Sequence, residues 1–279
     1  MKKRRKGAGR TLSWLAGGVL LCCAAVIDPS SVLRPIPEDM RPAPVSTWPR
    51  TGTDPFTPAV ARAAPADHPQ RRDDLQQSII IEDFGGSDTG GFPLTWKAWR
   101  GDDGLARNTY TVQEENGNRY LHAADDGSSI IIRKQLREWD ANEYPVLSWR
   151  WRAQVLPEGG DERIGSRNDS AVAVYVVLDQ NFVGVPKTLK YVWSTTLPVG
   201  TYHRRDGIGR PHVIVLESGE EKLGRWVEES VDVHADYVRI FGKKPPRKAV
   251  GIGILTDGNA TGTDSQGDYD DFVVHRRGS

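Results

Sequence analysis

At 279 residues, with 37 basic and 37 acidic side chains, the chain suits one sizeable domain with extensions or two small ones. Six of the basic residues (Lys2, Lys3, Arg4, Arg5, Lys6 and Arg10) crowd the first ten positions and leave 31 against 37 acidic ones in the remainder, a mildly acidic body without the basic footprint of a nucleic-acid binder. The only cysteines, Cys22 and Cys23, lie in an N-terminal apolar run, which excludes a disulfide, a thiol nucleophile and a cysteine metal site from the folded part.

Residues 1–27 join that charged start to an uncharged, mostly apolar run over 11–27. Two readings stay open: a secretory signal peptide cleaved after Ala25, or a retained membrane anchor slightly short of the roughly 20 residues a spanning helix wants. Under both, the positive end stays in the cytoplasm and the body is exported, periplasmic or envelope-associated. Residues 28–73 carry ten of the eighteen prolines and show no sustained apolar period, the composition of an extended, disordered linker.

From residue 74 to 279 short β-rich runs alternate with Gly, Asp, Asn and Pro. The strands expected are 78–84, 110–113, 119–123, 129–134, 146–154, 171–178, 190–194, 212–217, 225–233, 249–256 and 270–276. Such spacing with little helix indicates an all-β fold, a single β-sandwich of jelly-roll type. One short helix is expected over 235–241, ended by Gly242 and followed by Pro245-Pro246.

Strand alternation sorts the side chains. Trp149 and Trp151 share one face of their strand, and Ser148, Arg150 and Arg152 share the other. Val172, Val174, Val176 and Leu178 form an apolar face, opposite Asp169, Ala171, Ala173, Tyr175 and Val177. Val250, Ile252 and Ile254 read as buried, while Gly251 and Gly253 leave the other face low, as a ligand groove or a covering neighbour requires. Among seven tryptophans in the domain, Trp149 and Trp151 fit the core. Trp96 and Trp99, in a Gly- and Asp-rich stretch, are candidates for exposed sugar-stacking platforms, and Trp193 is a further candidate ligand contact.

The loop 157–169 (PEGGDERIGSRND) holds Asp161, Arg163 and Asp169. With Arg150 and Arg152 it would set guanidinium forks against an acidic ligand. Asp169, Asp161 or Tyr175 would then supply acid/base function, unless the charges only pair with one another. The stretch 256–271 (TDGNATGTDSQGDYDD) supplies Asp257, Asn259 and Asp271 as hard oxygen ligands for a structural Ca²⁺, or simply forms Asx turns. A pairing of Asp270 or Asp271 with Asp83 would require the first and last strands to be neighbours. No nucleophile elbow, phosphate-binding glycine fingerprint or His-Glu-x-x-His occurs, and no cofactor is required. His203 or His212 beside Tyr175 or Tyr191 would be the remaining acid/base pair.

LSWRWRAQVLPEGGDER, DSAVAVYVVLD, LKYVWST, DYVRIFG, GIGILTDGNATGT and GDYDDF, in that order, resemble the bacterial family of unknown function DUF3047 over roughly 78–275. The resemblance implies an exported protein and carries no established activity. Gly258, Asn259 and Ala260 depart from the TDTDNT-like loop of that family and remove one carboxylate. IIIEDFGGSDTGGFPLTW and DYDDFVV look like the first and last strands of galactose-binding-type jelly rolls. The reading is an exported β-sandwich that binds a cell-envelope or extracellular carbohydrate, tethered to the membrane if its N-terminal segment is uncleaved. The alternatives are a lyase or hydrolase acting on an acidic glycan, and a structural envelope protein.

Overall fold

The computed structural model describes residues 77–99, 102–136 and 138–278. The expected signal or anchor and the proline-rich linker lie outside the described residues. Two sheets face each other. One has six strands in the order β11 (Val227–Asp232), β6 (Val146–Val155), β13 (Ser265–His275), β4 (Asn118–Asp125) and β3 (Tyr110–Glu115), with β1 (Ser78–Glu82) on the end of β13. The other has seven, ordered β2 (Trp96–Ala98), β5 (Ile132–Gln135), β12 (Gly251–Leu255), β7 (Val172–Gln180), β8 (Pro186–Ser194), β10 (His212–Ser218) and β9 (Tyr202–Arg204). Only β8 and β10 run parallel among these pairings. This is the expected β-sandwich of jelly-roll type.

Two α-helices occur among the described residues, α1 (Asp103–Thr109) and α2 (Val233–Phe241). Asp102 and Asp232 cap them through their carboxylates, and Gly242 ends α2 in the left-handed conformation at φ 68°. The sequence pattern predicts α2 from residue 235, two residues inside its start. It does not predict α1, whose segment DGLARNT offers little apolar surface, or the three-residue strands β2 and β9, which are too short to display a period. No helix among the described residues is long and apolar enough to cross a membrane.

The core lies where the Trp face of β6 meets the Val face of β7. Trp149 and Trp151 pack edge to face at 5.3 Å, Trp151 meets Trp193 at 6.4 Å, and Trp149 stacks on Phe272 at 6.5 Å. Phe84 and Trp96 extend this aromatic row to the β1–β2 side. Phe272 reaches the core because the pairing of β13 with β6 slips between Asp270 and Val273, and Asp271 takes a left-handed φ of 52° there. That bulge leaves Tyr269 and Phe272 inside with two aspartates between them.

The chain passes from β6 to β7 and from β12 to β13 by loops that cross between the sheets, and these two crossovers are tied together. Asp169 accepts from the Ala260 and Thr261 amides at 3.1 and 2.7 Å and from Thr261 Oγ1 at 2.7 Å. The Glu158 amide donates to Thr263 Oγ1 at 3.0 Å. At Gly258 a side-chain carbon would stand 1.9 Å from the Thr263 carbonyl, so this turn admits glycine alone.

Candidate functional site: the groove on the seven-stranded sheet

Core packing of the Val face turns the opposite face of β7 outward. Register then aligns one row across the sheet. Lys97 pairs with Arg133, Arg133 with Gly253, Gly253 with Tyr175, Tyr175 with Lys190, and Lys190 with Val213. From β5 to β10 that row spans four strand spacings, about 19 Å. The neighbouring row contains Gln135, Gly251, Val177 and Thr188. Together they floor a cavity of about 630 Å³.

The two glycines of β12 set its depth. A side-chain carbon on Gly251 would come within 2.3 Å of the Lys134 carbonyl, and one on Gly253 would lie against Ile131 and the Tyr175 β-carbon. Trp99 stands at the β2–β5 end, with the Arg133 guanidinium 5.1 Å from its ring centre. The β7–β8 hairpin and the β9–β10 loop wall the far side, carrying Val183 and Ile208. The tips of these loops are apolar and exposed: Phe182 is 99% exposed and Ile208 89%.

The base of the groove is polar. Lys190 is buried, yet its ammonium lies 5.4 Å from the Tyr175 ring centre and donates to Ser170 Oγ at 3.2 Å. Burial disfavours the ammonium charge, but Tyr175, Glu162 and Asp257 outweigh it and hold the Lys190 pKa above the ordinary lysine value. Glu162 accepts from Ser170 Oγ at 3.0 Å and from Ser194 Oγ at 2.6 Å. Burial pushes Asp257 up to about 6; Lys190 pulls it down, and Asp169 pushes it up again. Burial also raises the Tyr175 phenol, against the pull of Lys190. With its pKa raised, the Tyr175 hydroxyl stays protonated at neutral pH and can donate a hydrogen bond to a ligand.

The residues singled out from the sequence divide. Tyr175, Asp257 and Trp99 line the groove. Asp169 lies beneath it, its carboxylate engaged by the 260–261 turn. Asp161 and Arg163 pair with each other through two hydrogen bonds of 3.0 and 2.7 Å. Trp96 is a correction: it is 4% exposed, packed on Phe84, with Nε1 donating to Glu82 at 2.9 Å. A three-residue strand within the glycine-rich stretch turns it inward. Trp193 is likewise buried, donating to the Gly219 carbonyl at 3.0 Å, and is no ligand contact.

Arg150 and Arg152 are the larger correction. β6 and β7 belong to opposing sheets whose apolar faces meet, so their polar faces point away from each other. The arginines therefore lie on the outer face of the six-stranded sheet. Arg150 binds Asp270 at 2.6 Å and Asp271 at 2.8 Å, and Arg152 binds Asp268 at 2.7 Å. Trp226 stacks against both guanidinium groups, at 4.8 and 4.6 Å.

The first and last strands are neighbours, as the calcium idea required, yet Arg150 occupies Asp270 and Asp271 while Asp257 faces Lys190. Among the described residues no group of three His, Cys, Asp or Glu side chains is arranged to hold a metal ion. His212 bonds Tyr202 at 2.5 Å and Tyr191 bonds Asp236 at 2.9 Å, so His212 and Tyr191 do not form a pair.

Lys190, Arg133 and Arg205 are groove residues that sequence alone does not single out, and Glu162 joins them from the charged loop 157–169. Alternation in LKYVWS carries the signal for Lys190: Leu189, Tyr191 and Trp193 take the core face, which forces Lys190, Val192 and Ser194 onto the groove side. Arg133 follows from its place opposite Gly253, which becomes visible only once the register is known.

These features define a jelly-roll β-sandwich with a single-sided, polar-floored groove. The chain belongs to the family described as "Protein of unknown function (DUF3047)", whose profile matches residues 95–273. No curated protein matches the sequence. Among solved structures it is similar to the family 11 carbohydrate-binding module from Clostridium thermocellum in complex with a beta-1,3-1,4-mixed-linked tetrasaccharide, at 9% identity and a TM-score of 0.40, covering 72% of this chain and 96% of that one. A family 30 carbohydrate-binding module of a cellulosomal cellulase of the same organism is similar at 11% identity and a TM-score of 0.40, covering 72% and 99%.

Proposed function

We propose that the domain is a carbohydrate-binding module of the cell envelope or its surroundings, and that the groove on the seven-stranded sheet holds the sugar. The observation that carries this reading is the groove floor itself. Gly251 and Gly253 lower the sheet between an aromatic end at Trp99 and the central Tyr175, with hydrogen-bonding groups beneath. An apolar body with a few convergent polar groups is the usual make-up of a small-ligand site. Tyrosine and tryptophan offer flat apolar surfaces to the faces of sugar rings. Export through the N-terminal segment is part of the proposal, supported by its charged start and apolar run.

The test is a screen of the full chain against neutral and acidic glycans, scored for both binding and cleavage. Binding without cleavage, lost in Tyr175→Ala, is the expected result. Absence of binding across the panel would leave the structural-protein alternative. A second reading, an enzyme acting on a glycan, draws on Asp257, whose pKa near 6 suits a general acid beside Lys190. Release of new reducing or unsaturated ends that Asp257→Asn abolishes would favour it.

A further inference from the structure

We infer that the ligand of the groove is an anionic glycan, one bearing carboxylate or sulfate groups along its chain; this rests on the carbohydrate reading above. Five basic side chains line the cavity against two carboxylates, although the body of the protein is mildly acidic. Both carboxylates, Glu162 and Asp257, act on Lys190. Lys134 is taken by Glu82 at 2.7 Å. Arg133, Arg205 and Arg210 remain, and none of them has a carboxylate partner among the described residues. Arg133 rests on the Trp99 ring. The Nη1 of Arg205 is buried with no hydrogen-bond acceptor.

Elsewhere in the domain the fold neutralises its half-buried arginines. Arg150, Arg152 and Arg239 each meet a carboxylate at 2.5–2.8 Å. A buried guanidinium N–H without an acceptor carries its full desolvation penalty, and a ligand oxygen would remove it. Unpaired cations in a concave site also focus their field on the ligand path. Arginine suits this role because its planar fork matches a carboxylate or sulfate in two-point contact. The spread of the cations selects a chain rather than a single sugar acid. Arg133 sits on β5 near Trp99, whereas Arg205 and Arg210 sit on the β9–β10 loop across the groove, so repeated negative charge is needed to meet them together.

Calorimetric titration of the full chain with oligogalacturonate, a chondroitin sulfate oligomer and size-matched neutral cello-oligosaccharide tests this. The expected result is binding of an anionic oligomer that weakens with added salt, with the neutral oligomer bound at least tenfold more weakly. Preference for oligogalacturonate or for the sulfated oligomer identifies which anionic group is read. In Arg133→Gln/Arg205→Gln the anionic affinity should fall about ten- to a hundredfold, the loss given by one or two charge-assisted hydrogen bonds. Arg205→Lys, which keeps the charge and the fold but loses the fork, should fall in between. Equal binding of neutral and anionic oligomers, unchanged in the double variant, would overturn the inference and leave the carbohydrate reading standing. Failure to bind any oligomer would overturn both, and so would capture by phosphatidylglycerol vesicles with no glycan binding.

Discussion

Replacing Glu229 by glutamine is expected to stabilise the domain at neutral pH. Glu229 lies on the inner face of the six-stranded sheet, 8% exposed, and accepts from Trp151 Nε1 at 3.2 Å. Burial, reinforced by the charge of Glu217, raises its pKa from 4.5 to about 8, although Trp151 and Lys222 pull it back in part. The folded state therefore holds a proton that the unfolded chain releases. Stability from this group is full below pH 4.5 and is lost as pH rises through about 8. At ~1.4 kcal/mol per pH unit the loss reaches roughly 3 kcal/mol by pH 7. Glutamine keeps the acceptor for the indole and has no proton to lose. Chemical denaturation of both proteins from pH 5 to 9 should show a gap that is small at pH 5, widens to pH 8 and then levels off. Parallel stability curves across that window would refute the reasoning. Glu229→Ala separates charge from hydrogen bonding, since it leaves the indole N–H unpaired and should fall below glutamine by about 1–3 kcal/mol.

Two further outcomes follow from the tryptophans and the groove. Trp96→Ala opens a core cavity and should cost about 3–5 kcal/mol in denaturation, whereas Trp99→Ala should cost under ~1 kcal/mol and weaken glycan binding in titration; the reverse pattern would contradict the burial of Trp96. Asp257 takes up a proton as pH falls through about 6, facing Lys190, Asp169 and Tyr175, so the affinity for an anionic oligomer should rise below that pH. Asp257→Asn should bind with the low-pH affinity throughout, and an unaltered pH profile in that variant would assign the dependence to another group.

Much of the sandwich was legible because one buried face per strand imposes a period of two. The Trp face of β6, the Val face of β7 and the low face of β12 all emerged from alternation alone, and the last of these is the floor of the groove. Sheet membership was not legible. Arg150 and Tyr175 each lie on the polar side of their strand, but alternation within a strand does not say whether two polar sides look the same way. A connection that crosses between packed sheets points them in opposite directions, and no local pattern encodes that. Trp96 was hidden for a different reason. In a three-residue strand between glycines, composition suggests an exposed loop, while the inward turn comes from pairing with Lys134 and packing on Phe84.

The two outer faces of the sandwich use arginine in contrasting ways, and the contrast separates stability from binding. On the six-stranded sheet, Asp268 and Asp270 are wholly buried beneath Arg150 and Arg152, and Trp226 covers the guanidinium groups. Every charge there has its partner within the fold, so a ligand would have to break an existing pair to gain one. On the seven-stranded sheet the carboxylates are gathered around Lys190, and the arginines at the rim are left without them. A ligand anion meets cations there that no internal partner has neutralised. The difference arises from topology. β13 carries its aspartates along the middle of the six-stranded sheet, directly opposite the arginines of β6, whereas the strand in the matching place beside β7 is β12, which presents glycines. Where the neighbouring strand offers aspartate the charge is structural; where it offers glycine there is space, and the charge is available to a ligand.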